Sequence, residues 1–339
     1  MPTLAAKIAP QRSSQYSALA STLAEPELRA SPLAPLIAGI RPVTLAAQAY
    51  LLLELAGEPD QAQQRALWQL GATNEFYWYF DRVGSQEGPF LKPLHPLFDP
   101  FFPSDLVEAR RYRGKTNELF TTVMLNVARW SRPTATPTES LRVLDPLMGG
   151  GTTLFVALRH GYDVVGIEKE RQDVETTDVF LRQFLDGENI KYRRKDERVG
   201  AAPGVTGRRW LYTIQHAARQ LHAILIAGDT THAPALLANI PGGARADGVV
   251  ADLPYGIQHH GQLHRLLQAS LPAWAAVAQP ETVLALAWDA TRLPRATMIE
   301  WVEEAGQWRV LQGGIYDTLA HAVDRVIKQR DLIVAQRVA

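Results

Sequence analysis

A chain of 339 residues is long enough for two ordinary domains and for a core that needs no disulfide or metal staple. Lys+Arg 35 against Asp+Glu 35 leaves a formal net charge of zero, which excludes a polybasic protein that holds nucleic acid by bulk charge. Hydrophobic residues at 46% and charged at 21% exclude wholesale disorder. With Cys 0, disulfide frameworks, thiolate catalysis and cysteine-based zinc sites are also excluded, and a reducing compartment fits.

Met1 to Ser13 carries Lys7 and Arg12 and no long apolar run, so no secretory signal is read there. Val43 to Ala56 is too short to span a membrane and is interrupted by Gln48 and Glu54, which makes it a buried helix in this reading. A soluble, cytoplasmic protein with no membrane association is expected. Residues 1–103 as a whole are expected to form a mainly helical N-terminal region of unknown role, punctuated by Pro42, Gly57 and Pro59. The aromatic run Phe76-Tyr77-Trp78-Tyr79-Phe80 suits core or interface packing better than a base-stacking platform. Ser104 to Trp130 reads as an amphipathic helix behind a basic lead-in from Arg110 to Lys115, and Arg132 to Pro137 as a linker.

From Leu141 the pattern changes to short apolar runs alternating with helical segments. Leu141–Leu144 and Val164–Ile167 read as strands flanking a helix at Thr152–Arg159. Further runs follow at Ala223–Ala227, Gly248–Ala251, Val283–Ala287 and Leu332–Ala335. The alternation predicts an α/β domain over residues 104–339, with a largely parallel sheet and helices on both faces. A polar insert at about 186–212 interrupts it. Its cations include Arg193, Arg194 and Lys195, candidates for tracking the phosphates of a substrate, although a solvated charged face is an equal reading.

Two motifs carry chemistry. In D-P-L-M-G-G-G-T-T a strand ends at Asp145, the glycines from Gly149 to Gly151 make a tight turn, and a helix starts at Thr152. Glycine belongs where backbone must approach a ligand, and the helix amides behind such a turn receive polar or anionic groups. Glu168, at the end of the next strand, is placed to grip both hydroxyls of a ribose. The turn is neither G-x-G-x-x-G nor a G-K-[ST] loop, and Asp145 would repel a pyrophosphate. The same carboxylate suits the amino-acid ammonium of S-adenosylmethionine.

The second motif is Asp252-Leu253-Pro254-Tyr255-Gly256, at the end of the predicted fourth strand. An exocyclic amino nitrogen on a flat base is a poor nucleophile because its lone pair is delocalised into the ring. Asp252 can accept one of its N–H bonds and the carbonyl of Leu253 or Pro254 the other, so that charge develops where fixed acceptors point. Tyr255 would stack on the base and hold it in line with the methyl group. His259, His260 and His264 follow closely but match no H-E-x-x-H pattern, and no metal is expected.

Together the motifs resemble the amino-methyltransferases that use S-adenosylmethionine. The chain is most similar to the tRNA guanosine N2-methyltransferase group and the overlapping ribosomal-RNA guanine N2-methyltransferases. The resemblance covers roughly Arg110 to Arg337, including R-Y-R-G-K-T-N-E-L-F-T before the turn. It implies a Rossmann-like class I methyltransferase sheet, mostly parallel with an antiparallel last strand. It further implies that Asp145, Pro146, Gly149, Gly151 and Thr152 line the methionine end of the cofactor. Glu168 would hold the ribose, Asp229 and Thr230 the adenine, and Lys115 and Asn117 would lie where the preceding helix closes over the cofactor. Asp252, Pro254 and Tyr255 would be catalytic, with Leu253 and Gly256 against the substrate. The chain departs from the pattern in having Leu253 where the usual tetrapeptide has proline, and no RNA-binding THUMP domain is visible in its first hundred residues. RNA, tRNA above all, is the implied partner. A DNA adenine or cytosine amino-methyltransferase shares the cofactor site, and a catalytically silent cofactor-binding subunit is a third reading, against which intact Asp252, Pro254 and Tyr255 speak.

Overall fold

In the computed structural model, which describes residues 1–10, 18–112, 114–133, 140–200, 205–254, 260–323 and 328–338, the N-terminal region is a sheet. In chain order it comprises β1 (Thr3–Ile8), α1 (Leu19–Ala30), β2 (Ile37–Leu45), β3 (Gln48–Leu55), α2 (Gln61–Leu67), β4 (Thr73–Val83) and β5 (Gln86–Pro93). The strands pair antiparallel in the order β2-β3-β1-β4-β5. This corrects the expectation of a mainly helical region, and the supposed helix from Val43 to Ala56 is the β2–β3 hairpin.

The physical reason lies in burial on both faces. Leu51, Leu53 and Leu55 face the main core beside Leu23 and Leu28 of α1, whereas Tyr50 and Leu52 pack with Val43, Leu45, Tyr77 and Tyr79 on the other side. A strand covered twice loses the period-two signal and reads like a helix. The hairpin turn is also silent in sequence, because its left-handed positions are Ala46 (φ 45°) and Ala47 (φ 62°) instead of glycine or asparagine. The aromatic run splits likewise along β4, Phe76 in the main core and Tyr77 and Tyr79 on the second face.

The remainder comprises α3 (Asp105–Glu108), α4 (Glu118–Trp130), β6 (Arg142–Asp145), α5 (Thr152–Arg159), β7 (Asp163–Glu168), α6 (Arg171–Gly187), β8 (Lys191–Val199), β9 (Gly207–His216) and β10 (Arg219–Ala227). It continues through α7 (Ala233–Leu236), β11 (Ala246–Asp252), α8 (His260–Ala276), β12 (Ala278–Asp289), α9 (Arg295–Glu304), β13 (Trp308–Val310), β14 (His321–Ala322) and β15 (Gln329–Arg337). The strand order is β13-β15-β12-β11-β6-β7-β10-β9-β8, with β14 paired to β15. From β10 to β12 the central strands run parallel, and β15 lies antiparallel between β12 and β13. A mostly parallel sheet with its last strand reversed is the Rossmann-like class I methyltransferase fold. The polar insert is the outer hairpin β8–β9, added antiparallel to β10.

Side chains alternate between two cores. Val143, Val164, Leu225, Val250 and Val334 pack with Phe120, Leu154 and Leu181, whereas Leu144, Val165, Ile226, Val249 and Ile333 pack with Leu236, Leu271 and Met298. Helices therefore cover both faces, which is why the strands read as unbroken apolar runs. Among the described residues no helix is long and apolar enough to cross a membrane.

The two regions share a buried polar joint. Glu27 of α1 accepts hydrogen bonds from the backbone N–H groups of Gly71 (2.9 Å) and Ala72 (2.8 Å) and from Asn126 Nδ2 of α4 (2.7 Å). Burial pushes its carboxyl up to about 7, against the lowering effect of these three donors. Truncation strands all three. Glu27→Ala is expected to lower the unfolding free energy by about 3–5 kcal/mol in urea titrations, the cost of breaking a buried polar cluster. A loss under about 1 kcal/mol would mean that the joint contributes little.

Candidate functional site

Parallel strands leave their carboxyl ends on one edge, and the change of winding direction between β6 and β11 opens a crevice there. Four acids occupy that edge. Asp145 ends β6, Glu168 ends β7, Asp229 lies two residues beyond β10, and Asp252 ends β11. All four line one cleft of about 690 Å³, together with Pro146, Gly149, Thr152, Thr230, Leu253 and Pro254. The glycine turn and the Asp-Leu-Pro corner thus open into the same space. Tyr255 and Gly256, like His259, lie outside the described residues.

The glycine turn is held from below and above. Gly151 has φ 87°, a left-handed conformation that favours glycine, and its N–H closes on Met148 O at 2.7 Å before α5 begins. Tyr112 lies over the turn so closely that a Cβ on Gly150 would collide with its ring, and its hydroxyl bonds Thr152 Oγ1. Arg110 donates to Gly150 O and, at 2.7 Å, to Thr177 Oγ1, with its guanidinium 5.0 Å over the Tyr112 ring. Arg110 and Tyr112 of the basic lead-in therefore clasp the turn, and Tyr112 is a wall of the cleft.

The carboxylates differ in how they are held. Asp145 is buried, and its Oδ1 accepts from Leu147 N at 3.1 Å. Burial pushes its pKa up to about 7, opposed by the bonds from Thr153 and Leu147 and reinforced by the negative charges of Asp252 and Glu168. Glu168 accepts Gly149 N on Oε2 (3.0 Å) and Glu170 N on Oε1 (2.9 Å), so each oxygen has a fixed direction and a lone pair to spare. Asp229 Oδ1 accepts from Thr231 N (3.0 Å) and Oγ1 (2.7 Å). Burial raises its pKa, but the Thr231 bonds and the charges of Lys169 and His232 outweigh it and the net shift is downward. Thr230, on the cleft wall, is fixed by Trp274 Nε1 at 2.8 Å.

Asp252 is clamped. Arg330 Nη2 of β15 donates to Oδ1 (2.8 Å) and Oδ2 (2.6 Å), and Thr116 Oγ1 donates to Oδ2 (2.6 Å). The arginine is 3% exposed and its guanidinium lies 4.8 Å over the Phe120 ring. The cation thus comes from the far end of the sequence, 78 residues away, and no local motif announces it. Thr116 stands inside R-Y-R-G-K-T-N, between Lys115 and Asn117, the two residues that the resemblance places at the cofactor.

Those neighbours do other work. Lys115 Nζ bonds Val107 O at 2.7 Å and pairs with Glu118, and Asn117 Oδ1 caps α4 through Leu119 N (2.9 Å) and Phe120 N (3.2 Å). Neither lines the cleft. Gly151 shapes the turn without lining the cleft. Leu253 is buried in the core with its N–H on Ala287 O at 2.9 Å. Arg193, Arg194 and Lys195 sit on β8, the outermost strand, away from the cleft. There Arg194 grips Asp178 with two bonds of 2.8 and 2.9 Å, and Lys195 pairs with Glu197 at 2.5 Å. Composition located the charge, but the sequence does not report that β8 is the outermost strand of the sheet. His264 Nε2 meets Glu304 at 3.1 Å on the α8–α9 surface. Among the described residues no cluster of acids and histidines could hold a metal ion.

No family model and no curated protein matches the chain. Solved structures similar to it include TrmN from Thermus thermophilus, at TM-score 0.46 and 13% identity, covering 100% of both chains. The 16S rRNA N2 methyltransferase RsmC of T. thermophilus, solved with AdoMet and guanosine, gives TM-score 0.37 and 15% identity over 99% of this chain and 64% of its own. A TehB-like SAM-dependent methyltransferase from Corynebacterium glutamicum gives 0.33 and 9% over 59% and 82%. These likenesses are too slight to assign a function.

The clamp has a direct test. Arg330→Met leaves a carboxylate without its buried cation and is expected to lower the unfolding free energy by about 3–5 kcal/mol. In a double-mutant cycle, adding Asp252→Asn should recover part of that loss, because the stranded charge is gone. Strict additivity of the two substitutions would show that the pair is not coupled.

Proposed function

We propose that this protein transfers methyl from S-adenosylmethionine to an exocyclic amino nitrogen of a nucleic-acid base, with guanine N2 in tRNA or rRNA as the substrate. One observation carries the proposal: a fixed, ion-paired carboxylate at Asp252 faces the same cleft as three further carboxylates spaced along the strand ends. Carboxylates that line one cleft favour a cationic guest. S-adenosylmethionine supplies two positive centres, the ammonium and the sulfonium. Asp145 suits the first. Glu168, with a lone pair on each oxygen, suits a ribose diol, and Asp229 with Thr230 borders the adenine end. The cofactor, when bound, supplies an electrophilic methyl group.

The residues of the chain then have defined work. Asp252 accepts a hydrogen bond from the amino group, and Thr116 and Arg330 keep its oxygens aimed. Drawing the N–H toward a fixed acceptor localises the nitrogen lone pair and aligns it for in-line displacement. With the cofactor bound, the nitrogen so held by Asp252 would accept the methyl carbon, and the thioether would depart as the leaving group. The nitrogen carries positive charge until it loses one proton to water. Pro254 continues the corner, and Tyr255 follows it as the residue suited to stack on the base. No covalent enzyme intermediate is required, which fits a chain with Cys 0.

With labelled cofactor, purified protein should mark unmodified transcribed tRNA and leave duplex DNA of equal mass unmarked; the reverse preference would favour the DNA reading. Two substitutions should separate the ends of the cleft. Asp252→Ala should abolish transfer while cofactor affinity stays within a few fold. Glu168→Ala should weaken cofactor binding by roughly 10- to 150-fold, the equivalent of about 1.5–3 kcal/mol for a lost charged hydrogen bond. If Asp252→Ala instead destroys cofactor binding, its role is wrongly assigned.

Cofactor binding should also depend on pH through Asp145. Its carboxyl titrates at about 7, and only the ionised form attracts an ammonium. Below that value the group is neutral, so affinity should rise between about pH 6 and pH 8, with proton release on binding near neutrality. Asp145→Asn should flatten the profile in calorimetric titrations, and a wild-type profile already flat would contradict the assignment.

A further inference from the structure

Beyond Asp229 the cleft continues into a second concavity of about 560 Å³, and Lys169 and Asp229 line both. Its other walls include Arg171, Arg198, Arg208 and His232. A chain of zero net charge thus gathers four permanent cations against one lining carboxylate in a single groove. Two of the four are partly neutralised: Arg171 bonds Glu175 at 2.7 Å, and Arg208 bonds Asp196 at 2.8 and 2.6 Å. Among the described residues Lys169 and Arg198 have no ion-pair partner.

The arrangement carries a cost. Arg198 and Arg208 stand directly opposite each other across the β8–β9 ladder, where like charges destabilise a sheet. Arg208 in turn aligns with Ala227 at the end of β10, so the hairpin extends the strand-end edge outward and presents this pair at the groove. A sheet that places two arginines at opposed positions beside a concave mouth is suited to receive an anion there.

We infer that this groove seats the phosphate backbone of the RNA substrate on one side of the target nucleotide. The inference rests on the reading of an RNA substrate given above and adds where that RNA lies. Asp252 and Asp229 follow β11 and β10, which are three strand spacings apart, or roughly 14 Å. A base turned out toward Asp252 leaves its neighbouring phosphates within reach of the groove. Because Lys169 and Asp229 belong to both spaces, RNA in the groove would border the outer end of the cofactor cleft.

The test is RNA binding without turnover. An unmodified tRNA transcript is titrated by fluorescence anisotropy against wild type, Arg198→Ala, Arg198→Glu and Arg309→Glu across a range of salt, with cofactor affinity measured in parallel. Arg309 is exposed on β13 at the opposite edge of the sheet and reports generic loss of charge. Arg198→Ala should reduce the slope of log affinity against log salt by about 1, and Arg198→Glu should weaken binding by roughly tenfold or more. Cofactor affinity should be unchanged in both, and Arg309→Glu should bind as wild type. An unchanged slope in the Arg198 variants, an equal loss in Arg309→Glu, or no tRNA binding by wild type overturns the inference. Failure of the methyl-transfer reading is distinguishable, because it appears as wild type that does not bind cofactor or transfer methyl, whatever its RNA affinity.

Discussion

Mutual repulsion among the acids at the strand ends is the constraint on which the site depends. Asp145, Glu168, Asp229 and Asp252 are brought to one edge by the parallel winding of the sheet, and there burial, with a smaller contribution from the charges of Asp252 and Glu168, pushes the Asp145 carboxyl up to about 7. The fold tolerates the crowding through specific relief at each position. Backbone N–H groups hold Glu168, Thr231 holds Asp229, and Arg330 with Thr116 holds Asp252. Leu147 and Thr153 donate to Asp145, beside the glycine turn, but do not offset its burial. A cleft so charged is poised for a cation, which is the physical core of the proposed function.

The antiparallel last strand has a purpose within that scheme. β15 pairs with β12 in a register that sets Arg330 opposite Asp289, and from there its guanidinium reaches the end of β11. A parallel strand in the same place would put its carboxyl end, not its first residues, at this edge. Phe120 of α4 supports the guanidinium from one face, and His321 packs against Phe120 in turn. The N-terminal region is tied to α4 through Glu27 and Asn126, so the helix beneath the clamp belongs to both halves of the molecule.

Much of the half from Leu141 onward was legible in the sequence. The helix at Thr152–Arg159 and the apolar strands from β6 to β15 follow from alternation, and the strand ends follow from them, which is enough to place Asp145, Glu168, Asp229 and Asp252 on one edge. Two kinds of information were missing. Local pattern cannot tell a strand buried on both faces from a helix, as β3 illustrates, nor find a hairpin turn built from Ala46 and Ala47. Nor does it report tertiary partners: Arg330 lies far from Asp252 in the chain, and Arg194 was spent on Asp178 of the adjacent helix α6. Charge composition identified the β8–β9 insert as basic, but only the structure shows that Arg198, near the end of β8, and Arg208 of β9 reach the groove while Arg193, Arg194 and Lys195, further back along β8, do not.

The central claim is that the acid-lined cleft alkylates a guanine amino nitrogen in RNA. Nucleoside mass spectrometry of total RNA and total DNA, from cells with and without the gene, measures this most directly. The account predicts that an N2-methylated guanosine is lost or reduced in the RNA of cells lacking the gene while the DNA bases are unchanged. An RNA profile identical in the two strains, alone or with loss of a methylated DNA base, would contradict it.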